Sequence, residues 1–265
     1  MFPLYSKSFP SDAIELAALL NESVKRAFSG AANPVTIRGD AYPKITEIRI
    51  ALDGAELRAD APRPPVVAGK GAAAVQVEEL HIIGNEMLIG PAIANLRLGA
   101  RDVRLNKAAD KKGEFVLLLQ SAADGEVEIT TDKHDLENAI AAVAKAEAAK
   151  HGVSIDQVQL SVRPRGTRSL DAEVQLRGKK LFFTTIIRIA ATLDLDEELN
   201  ATISGLACSG DGAIGSMACG FLDPHLQKVN RRSFPLMALP LGEVRLRDVR
   251  IAAADKISVT AEFGS

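Results

Sequence analysis

A glycine motif that could bind a phosphate group, G-x-G-x-x-G, spans Gly210 to Gly215. It follows a run typical of a strand and opens a possible helix, as the glycine-rich turn of dinucleotide-binding proteins does. Such a site also needs a parallel strand soon after the helix, with an acidic residue at its end. Here Asn230-Arg231-Arg232 and a proline-rich segment follow instead. The context favours a corner between a strand and a helix, and leaves an enzyme built on 210–215 as the third hypothesis for function.

The histidines and cysteines do not form a pattern of metal ligands. No two histidines share metal-ligand spacing, and none lies near a cysteine in a recognisable motif; they are His81, His134, His151 and His225. Cys208 and Cys219 could form a disulfide across the glycine corner, but two buried free thiols are the favoured interpretation. The chain also lacks a G-x-S-x-G nucleophile elbow. We therefore expect no metal, no cofactor and no catalysis.

Three arginines in one short turn could bind phosphate head groups by paired hydrogen bonds. They are Arg163, Arg165 and Arg168. In an antiparallel meander the acidic turn from Asp194 to Glu198 lies at the same end of the sheet, and it partly offsets this positive charge. A head-group contact and a merely solvated turn both stay open. With a head-group contact, the membrane surface would be a peripheral partner.

Composition removes several classes of protein. The 265 residues carry a net charge of −2, and aromatic residues make up 4%, with no tryptophan. A nucleic-acid binder usually has a basic excess and stacking aromatics, so we expect no nucleic-acid partner. No apolar run reaches the length of a membrane helix, and Met1 to Lys7 lack the pattern of a signal peptide. As written, the sequence fits a cytoplasmic protein, and its compartment stays open.

Two amphipathic helices are predicted, each followed by strands. The first runs from Asp12 to Ser29, with Ser11 or Asp12 as its cap, and the second from Asp132 to His151. Period-two alternation fills most of the remaining chain, and Asp53-Gly54 predicts a two-residue hairpin turn. A helical stretch from Asp211 to Leu222 comes next, and Asp223-Pro224 predicts the start of a further short helix.

The order of these elements indicates the architecture. A helix followed by strands occurs twice, which predicts one domain over 1–265 with a weak repeat that starts near 12 and near 132. Short turns between the strands favour antiparallel pairing. We expect both long helices to lie on the same concave face of one sheet.

The C-terminal half, about 126 to 263, resembles the LmeA-like phospholipid-binding family, which is related to the tubular lipid-binding (TULIP) proteins. The likeness rests on the helix entrance Thr131-Asp132-Lys-His-Asp135-Leu136-Glu-Asn138 and on Leu239-Pro240-Leu241-Gly242. It rests also on the last two strands, which carry Val249 and Val259. The strand from Leu98 to Leu105 extends it to most of the chain. The family's helix entrance usually reads Asp-Leu-Asn, whereas Glu137 intervenes here, and many members are exported or tethered to a membrane.

The resemblance implies an α+β fold of the TULIP type, in which a long curved antiparallel sheet wraps around two helices and a C-terminal helical segment. It also implies binding of a lipid, a fatty acid or another apolar ligand in an internal tube. We expect the lining to come from the apolar stripes of the three helical segments: Leu16, Leu20, Val24, Phe28, Leu136, Ile140, Val143, Met217, Phe221, Leu222 and Leu226. The alternative is a structural or interaction protein that binds no ligand and fills the tube with its own side chains.

Overall fold

The computed structural model describes residues 1–67, 69, 71–150, 152–180, 183–236 and 244–265. The motif Leu239-Pro240-Leu241-Gly242 and His151 lie outside the described residues. The described helices are α1 (Ala13–Ala27), α2 (Lys133–Ala149) and α3 (Gly212–Val229). The strands, in chain order, are β1 (Phe2–Pro3), β2 (Phe28–Ser29), β3 (Val35–Arg38), β4 (Lys44–Ala51), β5 (Glu56–Leu57), β6 (Ala72–Ile89), β7 (Ala92–Ala109), β8 (Phe115–Ser121), β9 (Asp124–Asp132), β10 (Ser154–Pro164), β11 (Ser169–Lys180), β12 (Phe183–Leu195), β13 (Asn200–Gly210), β14 (Arg232–Pro235), β15 (Arg245–Ala253) and β16 (Lys256–Gly264).

The fold is α+β, as predicted, but the strands form two sheets where the sequence predicted one. The first sheet has the order β15-β16-β9-β7-β6-β4-β3. β5 and β8 continue the pairing along β6 and β7 beyond β4 and β9, and β2 and β1 pair with β5 and β8. The second sheet has the order β10-β11-β12-β13-β14. The split occurs at α2, because the chain leaves β9 for the helix and returns as β10, which pairs with β11 rather than with β9.

The long helices lie against different sheets. α1 contacts β1, β2 and β3 of the first sheet, whereas α2 packs mainly on β10 of the second sheet and touches β7 and β9. The prediction that both helices share one sheet face is therefore wrong. α3 packs on β13 and β12.

Asp53-Gly54 forms a turn but not a hairpin. β4 and β5, on either side of it, both run parallel to the 18-residue strand β6. The Asp53 carboxylate accepts hydrogen bonds from the backbone and side-chain nitrogens of Asn85, at 2.9 and 2.6 Å. β4 and β5 thus pair one after the other with the same long strand, and the turn connects them. Alternation in the sequence does not reveal this pairing. The other strand pairings in the described chain are antiparallel.

A closed core fills the space between α1 and the first sheet. Asp12 caps α1 by accepting a hydrogen bond from the Glu15 nitrogen at 2.8 Å, and the Glu15 carboxylate accepts one in return from the Ser11 nitrogen. This reciprocal cap sets the helix start, so that Leu16 and Leu20 point into the core. Their neighbours there are fully buried aliphatic side chains: Leu4, Ile45, Ile48, Val77, Val103 and Leu117.

A smaller core cluster joins the two sheets. Leu195 and Leu199 of the second sheet pack against Val249 and Ile251 of β15. The Ile251 nitrogen donates a hydrogen bond to the Thr167 carbonyl at 2.7 Å. Beside it, Arg168 donates to the Asp248 carboxylate at 2.6 Å. We call this region, from 165–168 to β15, the joint.

Candidate functional site

The second sheet has one apolar face, because its four longest strands alternate in phase. Leu160, Val174 and Ile189 are cross-strand neighbours in the register, and the residues between them in each strand are mostly polar. The face, called here the apolar face, consists of Val158, Leu160, Val162, Leu170, Ala172, Val174, Leu176, Ile187, Ile189, Ala191, Leu193 and Ile203. Such a face must be covered by something to be stable in water.

α3 lies on this face, held by two close contacts. Cys208, which pairs with Ile189 in the register, forms a disulfide with Cys219 of α3. The favoured expectation of two free thiols is therefore wrong. At the start of the helix, the backbones of Gly210 and Gly215 touch, so a Cβ on either residue would come within 2.3–2.8 Å of the other's backbone atoms.

The glycine motif thus builds the strand-to-helix corner by close backbone packing. Gly212 has a φ of 70°, which an L side chain rarely adopts. The Thr185 hydroxyl donates a hydrogen bond to the Asp211 carbonyl at 2.9 Å and secures the same corner. The space between Gly210 and Gly215 is filled by protein, which leaves the glycines themselves no room to hold a phosphate group between them.

α3 runs on through Pro224 as one helix, where the sequence predicted a break at Asp223-Pro224. The helix has two apolar stripes. The stripe toward the sheet, at positions i, i+4, i+7 and i+11, consists of Gly215, Cys219, Leu222 and Leu226, which are buried or half-buried. The outward stripe has the same spacing and consists of Met217, Phe221, Pro224 and Lys228, which are all exposed.

α2 covers the β10 edge of the second sheet less completely. Its buried residue is Ala139, whereas Leu136 and Ile140 are half-buried and the Val143 side chain is 60% exposed. The Glu137 carboxylate accepts a hydrogen bond from the Leu160 backbone nitrogen at 2.8 Å. Glu137 therefore occupies a donor on the free edge of β10, which would otherwise be open to pairing with another chain.

The predicted lining residues separate into three groups. Leu16, Leu20 and Val24 are buried in the core of the first sheet, and Phe28 packs against that core, which is the arrangement of ordinary core residues. Leu222 and Leu226 lie between α3 and the apolar face, with Leu136 and Ile140 half-buried on α2. The side chains of Met217, Phe221 and Val143 are mostly exposed, at 64%, 74% and 60%, so Met217 and Phe221 do not line an interior space.

Most of the apolar face is incompletely covered. Side chains near its centre, such as Val158, Val174, Leu176 and Ile189, are only partly buried, although α3 lies on this face and α2 packs along its β10 edge. Its end beside the first sheet is closed by the joint and its core cluster. The half-covered apolar face between α2 and α3 is the candidate site.

The predicted head-group arginines are in part already paired. Arg168 forms the ion pair with Asp248 in the joint, and Arg165 lies 3.6 Å from the Asp171 carboxylate. The Arg163 side chain is exposed. The register places Ser169 opposite Asp194, so the acidic turn does lie at the same end of the sheet as the basic turn, as predicted.

The outer face of the first sheet is polar and carries two open depressions. The larger, of about 830 Å³, is lined in part by Asn95, Arg97 and Glu128, and the smaller has about 380 Å³. In the smaller one, Arg101 donates two hydrogen bonds to Asp124, and these hold the pKa of the Asp124 carboxyl below its ordinary value. Within the described residues, no three histidine, cysteine or acidic side chains are placed to hold a metal ion.

Part of this site was accessible from the sequence. Alternation in β10 to β13 reveals an apolar face, and the spacing of Met217, Phe221 and Lys228 reveals a stripe on α3. That α3 has two such stripes was not predicted. A helix that is apolar on both sides gives no indication from its pattern alone of which side faces the sheet.

Comparisons with protein-family models, with curated proteins and with solved structures found no match to this chain. Among the described helices, none has both the length and the apolar character needed to cross a membrane.

Proposed function

We propose that the protein binds a lipid acyl chain, or a similar apolar ligand, on the apolar face between α2 and α3. The observation that supports this proposal is the incomplete burial of Val158, Val174, Leu176 and Ile189 on a face flanked by two helices. Covering apolar surface gains about 25 cal/mol per Å², so a ligand that fills this face binds favourably without any charged partner. The resemblance to TULIP-type lipid-binding proteins supports the same class of ligand.

Two neighbouring alanines on opposite faces of β12 allow a matched test. Ala191 lies on the apolar face, opposite Ala172, whereas Ala190 lies on the polar face, opposite Glu173. Ala191→Trp places an indole where the ligand would lie. If it displaces about 60 Å² of ligand contact, it costs about 1.5 kcal/mol, or about tenfold in affinity. Ala190→Trp adds the same bulk to the other face.

The measurement is a titration with a fluorescent fatty acid, preceded by mass spectrometry of an organic extract of the purified protein. We expect lipid in near-stoichiometric amount in the extract, and weaker binding for Ala191→Trp than for Ala190→Trp. An extract without lipid, together with equal titrations for both variants, would refute the proposal and favour a ligand-free interaction protein.

A further inference from the structure

Within the part of the chain that the structure describes, the outward stripe of α3 is an apolar surface without cover. Phe221 is 74% exposed and Met217 is 64% exposed, one turn apart on the same side of the helix. Phe234 of β14 is 46% exposed and faces the same side of the second sheet, because its register partner Ala201 shares the face of Leu195 and Ile203. Isolated exposed apolar residues are ordinary, but a contiguous group of large ones marks a contact surface.

A group of cations borders this surface. Lys228 ends the outward stripe, and Arg231 and Arg232 follow directly after the helix. All three are exposed, and none forms an ion pair with another residue in the described part of the chain. Arg165 and Arg168, by contrast, are paired with carboxylates.

The chain path keeps these groups together. α3 starts at the Gly210 end of β13 and runs back along it, and the Arg231 nitrogen donates a hydrogen bond to the Ile203 carbonyl at 2.7 Å. Arg232 is the register partner of Ile203, and Phe234 that of Ala201. The apolar stripe, the cations and Phe234 therefore follow one another along α3 and β14, and we call this set of residues the strip.

We propose that this strip docks on the surface of an anionic lipid bilayer. Its chemistry fits that surface, because a helix lying in the interface buries large apolar side chains at the acyl boundary and places cations beside lipid phosphates. Met217, Phe221 and Phe234 are the apolar side chains of the strip, and its three basic residues are the cations. The proposal rests on the proposed function, since a protein that binds acyl chains must exchange them with a membrane.

Co-sedimentation with vesicles tests the proposal on the full chain. We expect binding to phosphatidylcholine vesicles that contain about a third phosphatidylglycerol, little binding to pure phosphatidylcholine, and weaker binding as salt is raised. Each basic residue near such a surface contributes about fivefold in affinity. Changing Lys228, Arg231 and Arg232 together to Ser should therefore weaken binding about a hundredfold.

Matched controls separate binding by this strip from non-specific effects of charge and hydrophobicity. The triple variant Lys7→Ser, Lys111→Ser, Lys112→Ser removes three exposed lysines of the first-sheet region and should leave binding unchanged. Phe221→Ser should weaken binding about tenfold, whereas Ile14→Ser, at the most exposed apolar residue of α1, should not. Circular dichroism confirms that each variant is folded, as expected for exposed positions.

The outcomes distinguish docking from ligand binding. Docking would be overturned if the wild type does not sediment with vesicles, even if the purified protein still carries lipid. It would also be overturned if the wild type, the triple Ser variant of Lys228, Arg231 and Arg232, and Phe221→Ser all sediment equally. A change from dimer to monomer in Phe221→Ser would overturn it too, because the strip would then be covered by a second copy. Lipid absent from the extract together with equal titrations for Ala191→Trp and Ala190→Trp, with docking retained, would overturn only the proposed function.

Discussion

The region of the first sheet beneath α1 and the region of the second sheet beside α3 bury their apolar side chains to different extents. On the first sheet, Ile45, Ile48 and Val77 are 1–2% exposed beneath a helix whose Leu16 is fully buried. On the second sheet, whose strands β12 and β13 lie against α3, the corresponding aliphatic residues Val174 and Ile189 stay partly exposed. Similar strand alternation in the sequence therefore leads to a closed core in one region and an open apolar face in the other.

The difference comes from the helices that cover the sheets. α1 has one apolar stripe and a polar side, so its leucines must point into the core. α3 presents glycine, cysteine and two leucines to its sheet, and the two closest points are small residues. The small residues let the start of the helix approach the sheet closely. Further along, the sheet-facing side chains of α3 fill little of the volume above the sheet. A core helix needs large inward side chains, and α3 carries its largest ones outward.

The largest expected effect tests the closed core against the open face. Leu16→Ala should lower the free energy of unfolding by about 3–4 kcal/mol, because it leaves a cavity among side chains that cannot collapse. Leu222→Ala, at the sheet-facing side of α3, should cost only about 1 kcal/mol, because its surroundings are already partly open. Denaturant unfolding measures both. Equal losses would show that α3 is packed as tightly as α1, which would leave no room for a ligand.

Two glycines of α3 give a second contrast, in which the expected changes in stability are smaller but opposite in sign. A Cβ at Gly215 would lie 2.6 Å from the Gly210 backbone and from the Thr185 hydroxyl, so Gly215→Ala should destabilise the protein by about 1–3 kcal/mol. Gly220 faces open space, and Gly220→Ala should stabilise the helix by about 1 kcal/mol. Thermal unfolding of the two variants should shift in opposite directions. A neutral Gly215→Ala would mean that the corner is not held by backbone contact.

Several local features of the fold followed from the sequence. The helix predicted from Asp12 to Ser29 is α1, and the one from Asp132 to His151 is α2 over its described length. Caps and apolar periodicity are local signals, so they locate a helix without knowledge of its partners. The corner at Gly210–Gly215 was predicted for the same reason, because its neighbours in sequence favour a strand-to-helix corner over a nucleotide-binding unit.

Features that depend on distant residues did not follow from the sequence. Alternation shows that a strand has an apolar face but not which strand it pairs with, so the parallel pairing of β4 with β6 and the division into two sheets were missed. The ion pair between Arg168 and Asp248 joins residues 80 positions apart. For the site, the sequence supplied Leu222 and Leu226 correctly as apolar residues of α3, but it could not separate them from the outward Met217 and Phe221.

The smallest expected effect concerns the joint that holds the open sheet to the closed one. The hydrogen bond from Arg168, with a further one from Arg250, holds the pKa of the Asp248 carboxyl below its ordinary value. A carboxyl whose pKa is lower in the folded state adds stability above about pH 4, its range when unfolded, and loses it as the pH falls through the folded value. The gain is modest, because the side chains of the pair are 35% and 29% exposed and water screens them.

Below pH 4 we therefore expect amide hydrogen exchange to rise in β10 and β11 of the second sheet before it rises in β6 and β7 of the first. Asp248→Asn should show the faster exchange already at neutral pH and lose most of the acid dependence, whereas Asp255→Asn, at an exposed turn near the joint's strand, should behave as the wild type. Simultaneous loss of protection in both sheets on acidification would show that the joint does not act separately from the closed core.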